Sequence, residues 1–315
     1  MRTSAPKGGG RYPAAERGSH LVHYDEFGLF HENAAEAGLA WSGPPTVRRV
    51  SVDVDAGRRL SALVWGDAPA DLVLLHGGAQ NAHTWDTVAL ALDVPLVAID
   101  LPGHGHSDHR DDGPFGPVNN AADVAVAIRE LAPEARLVVG MSLGGLTAIA
   151  MTPRQPDLVR KLALVDVTPG VDREKAAPIA AFIAGPESFE SFDEILARTI
   201  EFNPTRTESS LRRGVLHNAV ERDDGRWVWR YQRPRLAETA EMPDFGVLWD
   251  DVSTISVPLL LVRGADSAVV GDEDVVELRR RQPDVRVETV AGAGHSIQGD
   301  RPVELARVLD GFLTA

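Results

Sequence analysis

Six short, nearly unbroken apolar runs recur along the chain: DLVLLHG (71–77), VPLVAID (94–100), ARLVVGM (135–141), KLALVDV (161–167), VPLLLVRG (257–264) and VRVETVAG (285–292). Runs this short, rich in Val, Leu and Ile, suit strands buried on both faces of a sheet. Helix-like segments separate them, at 84–92, 119–131, 144–152 and 272–281. A last amphipathic helix, 302–313, opens with Pro302, a residue favoured in a first helical turn. This alternation predicts a doubly wound α/β fold with a mostly parallel sheet. Upstream, TVRRVSVDV and RRLSALVW alternate in polarity and are joined by Asp55-Ala56-Gly57, which predicts a hairpin.

Two regions break the rhythm. Residues 168–250 hold Trp227, Trp229 and Trp249 and five of the nine phenylalanines, and the segments SFESFDEILARTI and TESSLRRGVLHNAV have helical spacing. We expect a mostly helical insertion here, between two strands of the sheet. Residues 1–45 form an extension: the first 20, rich in Gly, Pro and Arg, should be poorly ordered, and 22–40 carry only a weak helical pattern. The expected division is therefore 1–45, a core of 46–167 with 251–315, and an inserted unit at 168–250.

Composition narrows the chemistry. The chain has 315 residues, a formal net charge of −14 and no Cys. Disulfides, thiolate metal sites and a Cys nucleophile are excluded. The acidic balance offers no basic footprint for nucleic acid or an anionic membrane. The uncharged stretch Leu137–Pro153 is broken by Gly140, Gly144 and Gly145 and is too short to span a bilayer. The N-terminus lacks the apolar segment of a secretory signal, so a cytoplasmic protein is expected. A homo-oligomer is compatible with all of this.

Gly140-Met141-Ser142-Leu143-Gly144 lies between a buried strand and an apolar helix. A serine on such a sharp turn is raised into a cleft at a helix N-terminus, where developing negative charge is favoured. It needs a base. His295, in the Gly-rich loop AGAGH after the last strand, is the candidate. The base needs an orienting carboxylate on its other nitrogen. Asp266, after the strand VPLLLV, is preferred; Asp166, which ends KLALVDV on the same sheet edge, is the competitor. His76-Gly77-Gly78 ends an earlier strand, so the N–H groups of Gly78 and Leu143 are the expected oxyanion donors. His76 itself is expected to be structural.

With HGG at 76–78, DLPGHGHSD at 100–108, GMSLGG at 140–145, RGAD at 263–266 and GAGH at 292–295, the chain resembles the α/β-hydrolase fold superfamily over roughly 70–166 and 250–315. The resemblance implies a helical cap between strands six and seven, where 168–250 falls, and a triad of Ser142, Asp266 and His295. It also implies that a serine at the elbow disfavours epoxide opening and halide displacement, which use a carboxylate there. What remains is acyl transfer on an ester or lactone, carbon–carbon bond hydrolysis of a ring-cleavage product, or cofactor-free perhydrolysis. A receptor reusing the fold would be expected to lack a triad member. The extension of 1–45 has no counterpart in the family core.

His104-Gly105-His106-Ser107-Asp108-His109 spells a metal-ligand pattern, but no His follows until His217, and the segment fits a turn near the active site. No metal and no cofactor are expected. The expected partner is a small, largely apolar substrate, contacted by Trp85, His217 and Trp249. Arg206, Arg212, Arg213, Arg230, Arg233 and Arg235 could meet a carboxylate, although solvated helix faces explain most such cations.

Overall fold

A computed structural model describes residues 24–55, 57–110, 116–171, 174–233 and 244–315. The first 20 residues, and Arg235, lie outside the described set. After α1 (Phe30–Glu36), the predicted hairpin forms as β1 (Val47–Asp55) and β2 (Arg58–Trp65). The alternating layer follows: β3 (Leu72–Leu75), α2 (Asp86–Leu92), β4 (Leu96–Ile99), α3 (Pro117–Leu131), β5 (Leu137–Met141), α4 (Leu143–Met151) and β6 (Leu162–Val165). The inserted segment contributes α5 (Ala177–Ile183), α6 (Phe192–Phe202), α7 (Glu208–Asn218), β7 (Ala219–Glu221) and β8 (Trp227–Trp229). The chain returns through α8 (Leu248–Thr254), β9 (Leu259–Gly264), α9 (Asp272–Arg281), β10 (Arg286–Val290), α10 (Ile297–Asp300) and α11 (Pro302–Thr314).

Eight strands form one sheet in the order β1-β2-β4-β3-β5-β6-β9-β10. β2 is antiparallel to both its neighbours, and the six strands from β4 onward are parallel. Side chains alternate between faces. Val73, Leu75, Val97, Val138 and Leu164 join the core beneath α3, α4, α8 and α9. Leu72, Leu74, Ala98, Val139 and Val165 join the core beneath α1, α2 and α11. Burial on both faces is why these strands read as continuous apolar runs.

The inserted segment is helical apart from the small β7–β8 hairpin and has its own core, built on Phe189, Ile195, Leu211, Val215 and Trp227. Its expected end at residue 250 falls inside α8. That helix buries Leu248 and Val252 in the sheet-layer core and packs on α4 and α9, so it belongs with the sheet. Among the described residues no helix is long and apolar enough to cross a membrane.

Candidate active site

Ser142 sits between β5 and α4 with φ 49° and ψ −119°. That conformation costs a non-glycine residue roughly 1–3 kcal/mol. The turn closes because its neighbours lack side chains. A Cβ on Gly144 would stand 2.3 Å from the Leu75 carbonyl oxygen, and one on Gly140 would stand 2.5 Å from the Gly144 oxygen. Among the described residues the other non-glycine positions with positive φ are Ala79, Asp93 and Asp166. Asp93 caps α2; Ala79 and Asp166 flank Ser142 at the carboxyl ends of β3 and β6. Three of the four strained positions thus lie at and around Ser142 on the carboxyl edge of the sheet, and strain of this kind clusters at functional sites.

His295 is brought there by the loop between β10 and α10. Its Nδ1–H donates to Asp166 Oδ2 at 2.8 Å, which leaves Nε2 as the acceptor nitrogen. Nε2 is buried and makes no hydrogen bond among the described residues. Asp166 is fully buried and held by three donors: His295, the Gly264 N–H at 3.0 Å and the Ser267 hydroxyl.

The expectation of Asp266 is thus corrected. Its side chain is exposed on the turn after β9, and among the described residues its hydrogen bond is that of the backbone N–H to the Ala293 oxygen. β9 lies beyond β6 as seen from β5. The β9 turn supplies Gly264 and Ser267 to steady the carboxylate, while β6, next to the serine strand, supplies the carboxylate itself. The chain order Ser, Asp, His is kept.

The HGG loop closes the other side. His76 Nε2 accepts the Leu101 N–H at 2.9 Å, so its Nδ1–H donates to the Gly77 oxygen at 2.7 Å; it is a buried structural group. A Cβ on Gly77 would lie 3.2 Å from Ser142 Cβ, which sets this loop directly against the elbow. Gly78 lines the same cavity, and Leu143 is the first residue of α4.

The segment 104–109 is scaffolding too. His104 is buried; its Nε2 accepts the Ala79 N–H at 3.2 Å and its Nδ1–H donates to the Pro102 oxygen. His106 and His109 are exposed. Asp100 ties the loops together, accepting from Ala82 N at 2.7 Å, His106 N at 3.0 Å and Arg49 Nη1 at 2.7 Å. Among the described residues the group with metal-ligand spacing is elsewhere: His83, Asp86 and His217, whose ligand atoms lie within 4.8 Å. The two imidazoles stack at 3.8 Å and 12°. An imidazole lone pair lies in its ring plane, so two parallel rings cannot both aim at one ion about 2.1 Å away. The trio does not fit a metal.

A cavity of about 430 Å³ joins these parts; Ser142, His295 and Gly78 line it beneath the inserted helices. Ile179, Phe182, Phe202, Val215 and Trp229 form an apolar wall, and Asn203, Arg206 and Ser210 a polar end. Of the expected substrate contacts only His217 lines it, with Nδ1 bonded to the Tyr24 hydroxyl at 2.8 Å. Trp85 does not: it is fully buried in the core under α2. Trp249 does not either; it packs on the core beside α4 with the Arg281 guanidinium over its ring at 5.4 Å. The sequence reading missed Asn33, which lines the cavity from α1; the weak helical pattern of 22–40 carried no sign of it.

A model of the Alpha/beta hydrolase family matches residues 72–308. The chain belongs to the alpha/beta hydrolase family. It is 47% identical over 301 residues to Esterase Rv0045c of Mycobacterium tuberculosis, covering 93% of this chain and 97% of that protein. A crystal structure of that esterase superposes with a TM-score of 0.82, covering 94% of this chain and all of the other. The 2-(acetamidomethylene)succinate hydrolase of Mesorhizobium japonicum is 28% identical, over 84% of this chain and 96% of the relative. These likenesses support a hydrolase.

Proposed function

We propose that the protein is a serine hydrolase that cleaves a carboxylic ester or lactone through an acyl-enzyme. One observation carries the reading: a strained Ser142 shares a cavity with His295, whose far nitrogen is fixed by the buried Asp166 carboxylate at 2.8 Å. In this scheme Ser142 Oγ attacks the ester carbonyl and His295 Nε2 takes its proton. Asp166 holds the imidazole in the required tautomer and stabilises the imidazolium. The negative oxygen of the tetrahedral intermediate falls to the N–H groups of Gly78 and Leu143, the latter at the positive end of α4. The leaving alcohol takes the proton back from His295, and water then attacks the acyl-enzyme with the same base. The Phe182 and Trp229 wall suits a small or medium apolar substrate moiety. The unit we assign as the cap, from residue 168 to the start of α8, covers the nucleophile and defines that wall.

A fluorophosphonate probe tests the reading. Wild-type protein is expected to label stoichiometrically, and Ser142→Ala to lose both labelling and hydrolysis of p-nitrophenyl esters. Wild type that neither labels nor hydrolyses any ester or lactone of a graded series would overturn it.

A further inference from the structure

The cap arginines divide by what holds them. Arg213 is buried and bonded to Asn33, Ser209 and the carboxylates of Glu32 and Glu36. Arg230 donates to the Ala219 oxygen, and Arg233 to the oxygens of Ile183 and Gly185. Arg212 is exposed. Arg206 differs from all of them. It sits in the turn between α6 and α7 and lines the cavity that holds Ser142 and His295. Among the described residues its guanidinium has one hydrogen-bond partner, the Ser210 hydroxyl, and no ion pair. Its Nε is buried without a partner.

Neither nearby acid is bonded to it, although Asp300 lines the same cavity and attracts it. Asp300 Oδ2 accepts the Gly294 N–H at 2.9 Å, and Glu36 takes Arg213 and the Thr207 hydroxyl. The guanidinium fits because the helix turn beneath it lacks a side chain: a Cβ on Gly299 would stand 2.8 Å from Arg206 Cζ. Gly299 lies in α10, four residues after His295. The cation thus lies against the short helix that follows the candidate base. Arg206 also lines an adjoining cavity of about 630 Å³ and so stands where the two spaces meet. Burial holds its pKa below the ordinary guanidinium value, with Asp300 and Glu36 opposing. A cation with a buried, unpartnered Nε and no ion pair at bonding distance gains from an incoming anion, and a planar fork of N–H donors matches a carboxylate.

We propose that the substrate is an ester that also bears a free carboxylate, and that Arg206 holds that carboxylate while Ser142 faces the ester. The assignment deepens the hydrolase reading above and rests on it for the ester half. The apolar wall takes the chain between the two groups. Arg206 is a specificity determinant and takes no part in bond making.

The test compares mono-p-nitrophenyl glutarate with p-nitrophenyl pentanoate, which has the same acyl length without the charge. Wild type should favour the glutarate ester in kcat/KM. Arg206→Gln should lower that preference roughly 10- to 100-fold, the range of a lost charge-assisted hydrogen bond, and through KM. Arg206→Lys, which keeps the charge but not the fork, should fall between. Glutarate titrated into Ser142→Ala by calorimetry gives a readout without turnover: its Kd should rise at least tenfold when Arg206→Gln is added. No preference in wild type, an equal loss on both esters, or phosphate displacing glutarate as well as glutarate itself would each overturn the assignment. If no ester is cleaved and Ser142 does not label, yet glutarate binds through Arg206, the hydrolase reading fails and the anion site stands.

Discussion

At the residue scale the decisive choice is between two aspartates on one sheet edge. Both follow a parallel strand, and both fall between Ser142 and His295 in the chain. Motif order therefore could not separate them, and the resemblance favoured the later strand. Three-dimensional neighbours do separate them: Asp166 is fully buried under three donors, whereas Asp266 faces out. A carboxylate that orients a base must be dry and held, because a solvated one exchanges partners. Asp166→Asn would leave the imidazole hydrogen-bonded in the wrong tautomer, so kcat on a p-nitrophenyl ester should fall on the order of 10³- to 10⁴-fold. Asp266→Asn should stay within a few-fold of wild type. Steady-state kinetics of the two variants checks this; comparable losses would return Asp266 to the site. The same contrast explains Trp85 and Trp249. Large aromatics near a motif read as substrate contacts, yet both are spent on the cores beneath α2 and beside α4.

At the element scale, what the sequence discloses tracks how local the governing contacts are. Strands buried on both faces announce themselves by composition alone, so β3–β6 and β9 fall within the apolar runs; β10, the half-exposed edge strand, matches the sixth run, VRVETVAG, in which Arg286, Glu288 and Thr289 stand among valines. The strand-turn-helix around Ser142 is equally local. The N-terminal segment was opaque because its partners lie far along the chain. Tyr24 bonds His217 across 193 positions, and Arg213 reaches Asn33 across 180. No periodicity records such pairs. α1 rests on α2 of the core and, through Arg213, is stitched to α7 of the cap. It is one tie between the two layers, beside the direct bonds of Asn81 to the His217 oxygen and of Asn218 to the Ala79 oxygen. Removing Arg213 leaves the buried Asn33 amide without its partner and returns two half-exposed carboxylates to water, at a cost of about 1–3 kcal/mol. Arg213→Met should therefore lower Tm by several degrees and raise the protease sensitivity of the cap before that of the sheet. Arg212→Met, one position away and exposed, is the control and should leave both unchanged. A silent Arg213→Met would remove the tie from the account.

For the whole molecule, a second contact between the N-terminal segment and the core is a buried titrating cluster, and stability should follow its charge. Burial alone would lower the His83 pKa, but Asp86 at 2.9 Å and Glu26 at 3.1 Å outweigh it and push it up to about 9. Burial alone would raise the Glu26 pKa, but hydrogen bonds from His83 and Arg49 bring it down to about 2. His217, stacked on His83, is held well below its ordinary value, first by burial and then by the neighbouring charge. The unfolded chain has an imidazole pKa of about 6.5. Protonated His83 thus contributes stability that is complete below that pH and lost as pH rises through about 9. Glu26 contributes above the ordinary carboxylate value, and its share is lost as pH falls through about 2. His217 subtracts below about 6.5, where the unfolded chain binds a proton that the folded ring refuses. Between pH 6.5 and 9 only His83 of the three changes charge. Linkage then predicts falling stability across that interval, and Asp86, whose carboxyl burial pushes up, works in the same direction. Urea denaturation at pH 6.5, 7.5 and 9 should show it as a falling midpoint at constant m. His83→Gln should be less stable than wild type at pH 6.5 and converge on it by pH 9. A wild-type midpoint that stays level over the interval, or a His83→Gln midpoint that falls in parallel with it, would mean that the imidazole is neutral in the fold and that Glu26 is held by Arg49 alone.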